Sequence, residues 1–262
     1  SEWMRTRDLS SQAEYWKSQF DDEIPILDMP LDYPRPQIQS HDGGIVTIMT
    51  DIELSGEIRK IAENVGCTEY MVFLAGLMTT LSKYSGQDDI VIGSAISGRT
   101  RHETEQMLGM FVNTLAMRGR PEGNKTFEQF IAEIRETTLN AYENQEYPFE
   151  ELVENIEVRR DMSRNPVFDV MLTYQNNEVK DNDVSGLDYS GSDFEMASTA
   201  KFDLNFTVVC INGRYYVNLE YCTKLFSKET AENIIHHYVE VLRKSVTDIT
   251  KKLSDIHMAV EE

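Results

Sequence analysis

The segment from Glu69 to Tyr84 is apolar around most of its circumference if it forms a helix. Thr68 precedes it and is a residue type that caps the first turn of helices. A helix with apolar side chains on nearly every side is stable only when other elements cover it. The chain must therefore place this helix inside a packed core. The helices and strands formed by the neighbouring segments must cover it.

Segments with the pattern of strands alternate with segments that have the pattern of amphipathic helices. β-Branched residues predict a strand at Ile45–Leu54, and apolar runs predict buried strands at Ile90–Ile96 and Val167–Leu172. The other helices are predicted, from caps and apolar stripes, at 1–20, Leu54–Val65, Phe127–Asn144, Phe149–Ile156 and from Ser227 to about Ile249. The alternation indicates an α/β fold, with one mixed sheet backed by helices.

Two further segments constrain the topology. Asn212-Gly213 separates the predicted strands Phe202–Ile211 and Arg214–Tyr221, and this dipeptide strongly favours a hairpin. Residues 176–200 are polar and weakly patterned, which predicts a long loop, and loops of that length are often functional.

Composition excludes several classes of protein. The 262 residues carry a net charge of −20, which argues against a nucleic-acid partner, because phosphate binding requires a basic face. No apolar run is long enough for a membrane helix, and the start, SEWMRTRDLS, has no apolar signal core. The three cysteines, Cys67, Cys210 and Cys222, lack metal-ligand spacing, so we expect reduced thiols in a cytoplasmic protein.

The stretch from Asn144 to Asp169 has the highest density of special residues. Pro148 holds Tyr147 in an extended conformation and is suited to the first turn of a helix. A polar run, Arg159–Pro166, then precedes an apolar segment, which indicates a loop held by paired charges and side-chain bonds to the backbone. From the residues alone, this loop either supports a functional site or simply fixes a turn.

The sequence of this stretch resembles two motifs of the condensation domains of nonribosomal peptide synthetases. Asn144–Glu150 is similar to the family's HQD-Y/V-PFE, with departures at Asn144 and Glu146. Arg160–Val167 is similar to RDxSRNPL over its whole length. Four more segments resemble family motifs: Tyr15-Trp16 with Leu31–Pro36, Gly93–Arg99 (IGxPxxGR, without the proline), Leu108–Arg118 (IGxFVNTLxLR) and Ala200–Leu204 (AKFDL).

The resemblance implies a fold and an activity. The fold would be the chloramphenicol-acetyltransferase-like sandwich lobe, a mixed sheet covered by helices. The activity would be amide-bond formation between aminoacyl or peptidyl thioesters held on 4'-phosphopantetheine arms. The partners implied are a donor and an acceptor peptidyl carrier protein and the N-terminal lobe of the same domain, with no cofactor or metal bound directly.

The resemblance also implies which residues matter. The loop that floors the substrate channel would contain Ser97, Gly98 and Arg99. The supporting motif residues would be Asn113, Gln145, Pro148, Arg160, Asp161, Arg164, Asn165, Lys201 and Asp203. A buried asparagine at 113 must find hydrogen-bond partners, whether by pinning two backbone segments or by contacting substrate.

The family's catalytic motif, HHxxxDG, does not occur in this sequence. The pair His236-His237 lies inside the predicted C-terminal helix and is interpreted as structural. We therefore expect residues 1–44 to be an interlobe helix and Pro-rich linker, residues 45–262 to be the C-terminal lobe, and the isolated lobe to be inactive. The alternatives are a non-catalytic module that binds carriers or other partners, an epimerisation domain, and a free-standing coenzyme-A acyltransferase.

Overall fold

The computed structural model describes residues 8–97, 112–158, 161–179 and 198–259. Within these ranges seven strands form one sheet, in the order β3-β2-β4-β6-β7-β1-β5. The strands are β1 (Asp42–Met49), β2 (Ile90–Ser97), β3 (Val112–Gly119), β4 (Val170–Val179), β5 (Ser198–Thr199), β6 (Leu204–Ile211) and β7 (Arg214–Cys222). The helices are α1 (Ser10–Gln19), α2 (Ile52–Val65), α3 (Glu69–Ser85), α4 (Phe127–Glu143), α5 (Phe149–Asn155) and α6 (Lys228–Thr247), followed by a 3₁₀ turn at Leu253–Asp255.

The sheet is mixed, as the sequence predicts. The central strands β2, β4 and β6 are parallel to one another, whereas β3, β7, β1 and β5 pair antiparallel with their neighbours. The carboxyl ends of β2 and β4 therefore lie at the same edge of the sheet. This α/β arrangement confirms the predicted fold class.

One face of the sheet is covered by helices along its whole width. Helix α3 lies at the centre of this layer and contacts α2, α4 and α6. Every side chain from Tyr70 to Leu81 is buried, which confirms the central helix that the apolar sequence predicts. The opposite face is covered by α1 and α5 near β3, whereas Ile45 and Met49 of β1 are exposed on it.

The helix ends lie where the capping residues predict. The Thr68 side chain caps α3, and the Gly66 and Gly86 backbones adopt the left-handed conformation that ends α2 and α3. At the start of α4 the Thr126 and Gln129 side chains each accept from the other's backbone N–H, at 3.2 and 2.9 Å. This is the reciprocal capping box expected from the Thr-x-x-Gln spacing.

The predicted hairpin is present. Asn212 and Gly213 have φ values of 50° and 73°. Strands β6 and β7 pair in register up to the last opposing residues, Ile211 and Arg214. Positive φ at both turn positions matches the twist of the flanking strands, which is why Asn-Gly favours this connection.

Several predicted boundaries are wrong. β1 ends at Met49 instead of Leu54, because Asp51 accepts the Leu54 N–H at 2.7 Å and starts α2. β4 begins at Val170 instead of Val167 and continues to Val179. The predicted loop at 176–200 therefore includes the end of β4 and all of β5, and residues 180–197 lie outside the described residues.

The first segment of the chain packs on the same core as the rest. Trp16 and Phe20 are buried, and the predicted division at residue 44 falls inside β1. Over the described ranges, no single helix is long and apolar enough to cross a membrane, although α2 and α3, bent by 107°, reach that length and apolarity together.

Candidate functional site

The end of β2 leads into the predicted floor loop. Ser97 is the last residue of β2 and pairs in register with Val112 of β3. Gly98 and Arg99 lie outside the described residues, so their role in the loop stays a prediction. The strand that carries them to this edge is fixed by its parallel contacts with β4.

Asn113 connects the start of β3 to the turn between α4 and α5. Its Nδ2 donates to the carbonyl of Gln145 at 2.7 Å and to the carbonyl of Tyr147 at 3.0 Å. Its Oδ1 accepts the N–H of Thr114 at 2.9 Å. Both ends of the amide are therefore used in pinning backbone, one of the two roles expected from the sequence.

Helix α1 holds the same turn from the other side. Gln12 Oε1 accepts the N–H groups of Glu146 and Tyr147, both at 3.1 Å, and Trp16 Nε1 donates to the carbonyl of Asn144 at 2.8 Å. Sequence reasoning missed Gln12, because a glutamine on an amphipathic helix carries no signal for its partner. The turn at 144–147 is thus fixed by side chains from two distant elements.

Gln145 and Pro148 have local roles in this turn. Gln145 Nε2 donates to the carbonyl of Tyr142 at 2.8 Å. Pro148 is the residue before α5, with an extended ψ of 138°, and the helix begins at Phe149. Pro148 therefore lies at the N-cap position, one residue before the first-turn position that its sequence context suggests.

Arg164 is the residue of the RDxSRNP motif that forms an ion pair with a buried carboxylate. Its Nη1 lies 2.5 Å from Oδ2 of Asp169 and also donates to the carbonyl of Leu27 at 3.2 Å. Asp169 is 6% exposed. The pair ties the motif to the residue that precedes β4 and to the Pro-rich segment at once.

A second ion pair lies beside the first. Arg35, from the Pro-rich segment, binds both carboxylate oxygens of Asp203, with Nη1 3.1 Å from Oδ1 and Nη2 in close contact with Oδ2. Arg35 Nη1 also donates to the carbonyl of Ser163 at 3.1 Å. The predicted motif residue Asp203 therefore acts by holding a linker arginine, which was recognised only as part of a sequence match.

The other predicted residues of this cluster use backbone contacts or local bonds. Asn165 Nδ2 donates to the carbonyl of Lys201 at 3.2 Å, and the Lys201 side chain is exposed. Asp161 Oδ1 accepts from the N–H and hydroxyl of Ser163, at 2.8 and 2.6 Å. Arg160, which we expect to pair with Asp161, lies outside the described residues.

We call Arg35, Arg164, Asp169 and Asp203 the buried charge cluster. Burial, followed by repulsion from Asp203, raises the pKa of the Asp169 carboxyl to about 6. Asp169 Oδ1 and Arg35 Nε are buried without hydrogen-bond partners among the described residues. The cluster combines satisfied ion pairs with two polar atoms that have no partner among the described residues. Because the pKa of Asp169 is raised, the stability of the cluster depends on whether this carboxyl is protonated.

The described side chains of these motifs mainly bind backbone groups or one another. His237 Nδ1 lies 2.6 Å from the Tyr84 hydroxyl, and His236 is exposed on α6, in agreement with their structural interpretation. Among the described residues no group of three or more His, Cys, Asp or Glu side chains is arranged to hold a metal ion.

The fold and the motif residues define the class of protein. The family model described as "Condensation domain" matches residues 1–262, so this chain belongs to the condensation domain family. The relatives that it matches are nonribosomal peptide synthetases, and the chain is part of a condensation domain of that kind.

Two curated relatives show the extent of the similarity. The chain is 46% identical over 260 residues to bacitracin synthase 2 of Bacillus licheniformis, covering 99% of this chain and 10% of that protein. It is 44% identical over 265 residues to gramicidin S synthase 2 of Aneurinibacillus migulanus, covering 100% of this chain and 6% of that protein. The chain thus spans a tenth or less of these relatives.

Solved structures share the fold at lower identity. A four-domain nonribosomal peptide synthetase bound to AMP and glycine superimposes with a TM-score of 0.87 at 23% identity, over 98% of this chain and 20% of that one. The X-domain in its complex with OxyB from teicoplanin biosynthesis gives 0.83 at 22% identity, over 97% of this chain and 56% of that one.

Proposed function

We propose that the chain is the C-terminal lobe of a condensation domain that joins two carrier-bound thioesters by an amide bond. The donor and acceptor would each arrive on the 4'-phosphopantetheine arm of a peptidyl carrier protein. The acceptor amine nitrogen would attack the donor thioester carbon, forming the C–N bond and breaking the C–S bond. One proton leaves the amine, and the departing pantetheine thiol gains one.

The observation that carries this proposal is the bonding between motifs. Asn113 of the FVNT motif binds the carbonyls of the QEYP turn, and Asn165 of the SRNP motif binds the carbonyl of Lys201 in the AKFD motif. Segments that resemble family motifs are therefore joined in pairs by hydrogen bonds from an asparagine of one motif to backbone carbonyls of another. This arrangement suits a lobe that positions a channel while the reactive group comes from elsewhere.

We further propose that the lobe acts with an N-terminal lobe that carries HHxxxDG, in the cytoplasm. A histidine suits that role, because its ordinary pKa lies near neutrality and it can hold or release the amine proton. No such motif occurs in these residues. The isolated chain would then bind loaded carriers without forming a peptide.

The test follows the acceptor carrier by intact-protein mass spectrometry. Donor and acceptor carriers, each loaded with an amino acid, are incubated with this chain alone and with the polypeptide in which an HHxxxDG lobe precedes it. We expect a dipeptidyl acceptor carrier only in the second case. In that polypeptide Asn113→Ala should lower the rate, and His236→Ala, an exposed control on α6, should not.

Two outcomes of this test would contradict the proposal. Dipeptide formed by the chain alone would show that the lobe does not need the histidine motif. Carrier binding without dipeptide from the longer polypeptide would favour a non-catalytic binding module; the X-domain, which has a similar fold, is found in a complex with OxyB. A D-configured residue without a new amide would instead indicate epimerisation.

A further inference from the structure

A cavity opens where the carboxyl ends of β2 and β4 meet the start of α3, and part of its wall comes from the Gly93–Arg99 segment. Its volume is about 490 Å³, and its walls include Arg59, Glu69, Tyr70, Ser94 and Tyr174. Sheets with parallel strands commonly bind ligands outside the carboxyl ends of those strands. The volume is also within the range of small-molecule sites.

The Glu69 carboxylate is fixed in this cavity by two tyrosines. Its Oε2 accepts the hydroxyl of Tyr215 at 2.6 Å and the hydroxyl of Tyr174 in an even closer contact. Tyr215 is fully buried on β7, and Tyr174 is half-buried on β4. Two rigid rings from different strands therefore set the orientation of one carboxylate, as in a preorganised binding site.

The negative charge of Glu69 has no cationic partner in the described part of the chain. Glu69 forms no ion pair there, and its hydrogen bonds come from neutral hydroxyls. Among the described residues that line the cavity, Arg59 is the one cationic side chain. Its Nη1 donates to the carbonyl of Gly213 at 3.0 Å, and its guanidinium lies over the Tyr215 ring. Partly buried carboxylates are costly unless a positive charge balances them. The cavity thus offers a fixed carboxylate and aromatic walls, and these groups suit a cation with several N–H donors.

We propose that this Glu69 cavity binds a primary alkylammonium group, such as the end of a basic amino-acid side chain. Glu69 supplies the counter-charge, and the tyrosine rings contact the methylene groups. A divalent metal ion fits less well, because it needs more oxygen ligands than one oriented carboxylate supplies. The inference concerns binding alone and does not depend on amide formation.

The test uses n-butylammonium as the probe and amide NMR shifts of the whole chain as the readout. We expect saturable shifts at Thr68–Tyr70 and Ser94–Ile96, weakened by added salt, and no comparable shifts with n-butanol. Glu69→Gln keeps an acceptor for both tyrosines and removes the charge, so affinity should fall about tenfold or more. Glu128→Gln, an exposed acid in the first turn of α4, is the matched control and should bind normally.

A second variant keeps the test decisive if Glu69→Gln does not fold. Tyr174→Phe keeps the ring and removes one of the two hydroxyls that orient the Glu69 carboxylate, so the fold should persist and affinity for n-butylammonium should fall several-fold. Absent or non-saturable shifts with the wild-type chain would overturn the proposal. So would equal binding of n-butanol, unchanged affinity in both variants, or shifts confined to another surface.

Discussion

The carboxylates of Asp169 and Asp203 are buried neighbours, yet each is paired with a different arginine. Arg164 binds Asp169 from the SRNP loop, and Arg35 binds Asp203 from the Pro-rich segment. The repulsion between the two acids adds to burial in raising the pKa of Asp169 to about 6. This relationship links the attachment of the linker to the protonation of one side chain.

The first prediction concerns the pH dependence of stability. The folded-state pKa of Asp169 lies above its ordinary value of 3.8, so the protonated group adds stability at low pH that is lost as the pH rises toward 6. Asp169→Asn should remove this downward slope between pH 4 and 6 in urea unfolding curves.

The control for this prediction is Asp161→Asn. Hydrogen bonds from Ser163 lower the pKa of Asp161. The contribution of Asp161 to stability therefore has the opposite sign, and it is lost as the pH falls below the ordinary pKa of an aspartate. The two variants should therefore change the pH profile in opposite directions. Parallel profiles for Asp169→Asn and the wild type would show that Asp169 is ionised throughout this range.

The second prediction concerns the linker. Arg35→Ala leaves the Asp203 carboxylate, whose side chain is 9% exposed, without its bidentate partner. Removing one member of a buried pair costs about 3 kcal/mol, so the free energy of unfolding should fall by that amount. Lys60→Ala, which removes a surface pair with Glu57, should cost under about 0.5 kcal/mol.

A double-mutant cycle checks the origin of that loss. Asp203→Ala in the Arg35→Ala background should cost less than Asp203→Ala alone, because the unpaired charge is already present. Additive losses would mean that the two side chains stabilise the fold independently. Limited proteolysis of the segment at 21–41 should accelerate in Arg35→Ala if the segment detaches.

The third prediction concerns Asn113. Asn113→Ala removes the donor shared by the carbonyls of Gln145 and Tyr147 and should destabilise the chain by about 1–3 kcal/mol. Amide exchange should rise at Tyr147 and through α5. Asn218→Ala, which loses an exposed bond with Thr47, is the control and should change stability by under about 0.5 kcal/mol. Equal losses in the two variants would argue against a pinned turn.

The fourth prediction compares two glycines. A Cβ at Gly93 would overlap the ring of Phe168, which is itself buried against Phe149. Gly93→Ala should therefore lower the stability by about 1–3 kcal/mol, as overpacking does. Gly56, in the middle of α2, has open space at the same position, so Gly56→Ala should raise stability by up to about 1 kcal/mol. Thermal melting of both variants decides the matter.

The elements that were predicted well are those whose signals are local. The caps at Thr68 and Thr126, the turn at Asn212-Gly213 and the apolar α3 depend on residues within a few positions of one another. The predicted start of β4 was wrong because Val167 and Phe168 are apolar and resemble the start of a strand, whereas Asp169, which follows them, is held by Arg164 and by the Asp203 N–H. Such a contact leaves no trace in the periodicity.

The same distinction applies to the site. The motif resemblance located Asn113, Asp203 and the SRNP loop, but it did not indicate that Arg35 binds Asp203 and Ser163 or that Gln12 accepts from Glu146 and Tyr147. Both side chains lie over a hundred positions in the chain from the residues that they contact. The Glu69 cavity was missed for the same reason, since Tyr174 and Tyr215 come from strands on either side of β6. Only the fold brings these side chains together.

The pairing of β1 with β7 also orders the steps by which the chain becomes native. Gly44 lies opposite Tyr221, so β1 can pair only after a strand that follows it by well over a hundred residues has been made. The β6–β7 hairpin closes locally, but until β1 docks its outer edge remains open to other strands.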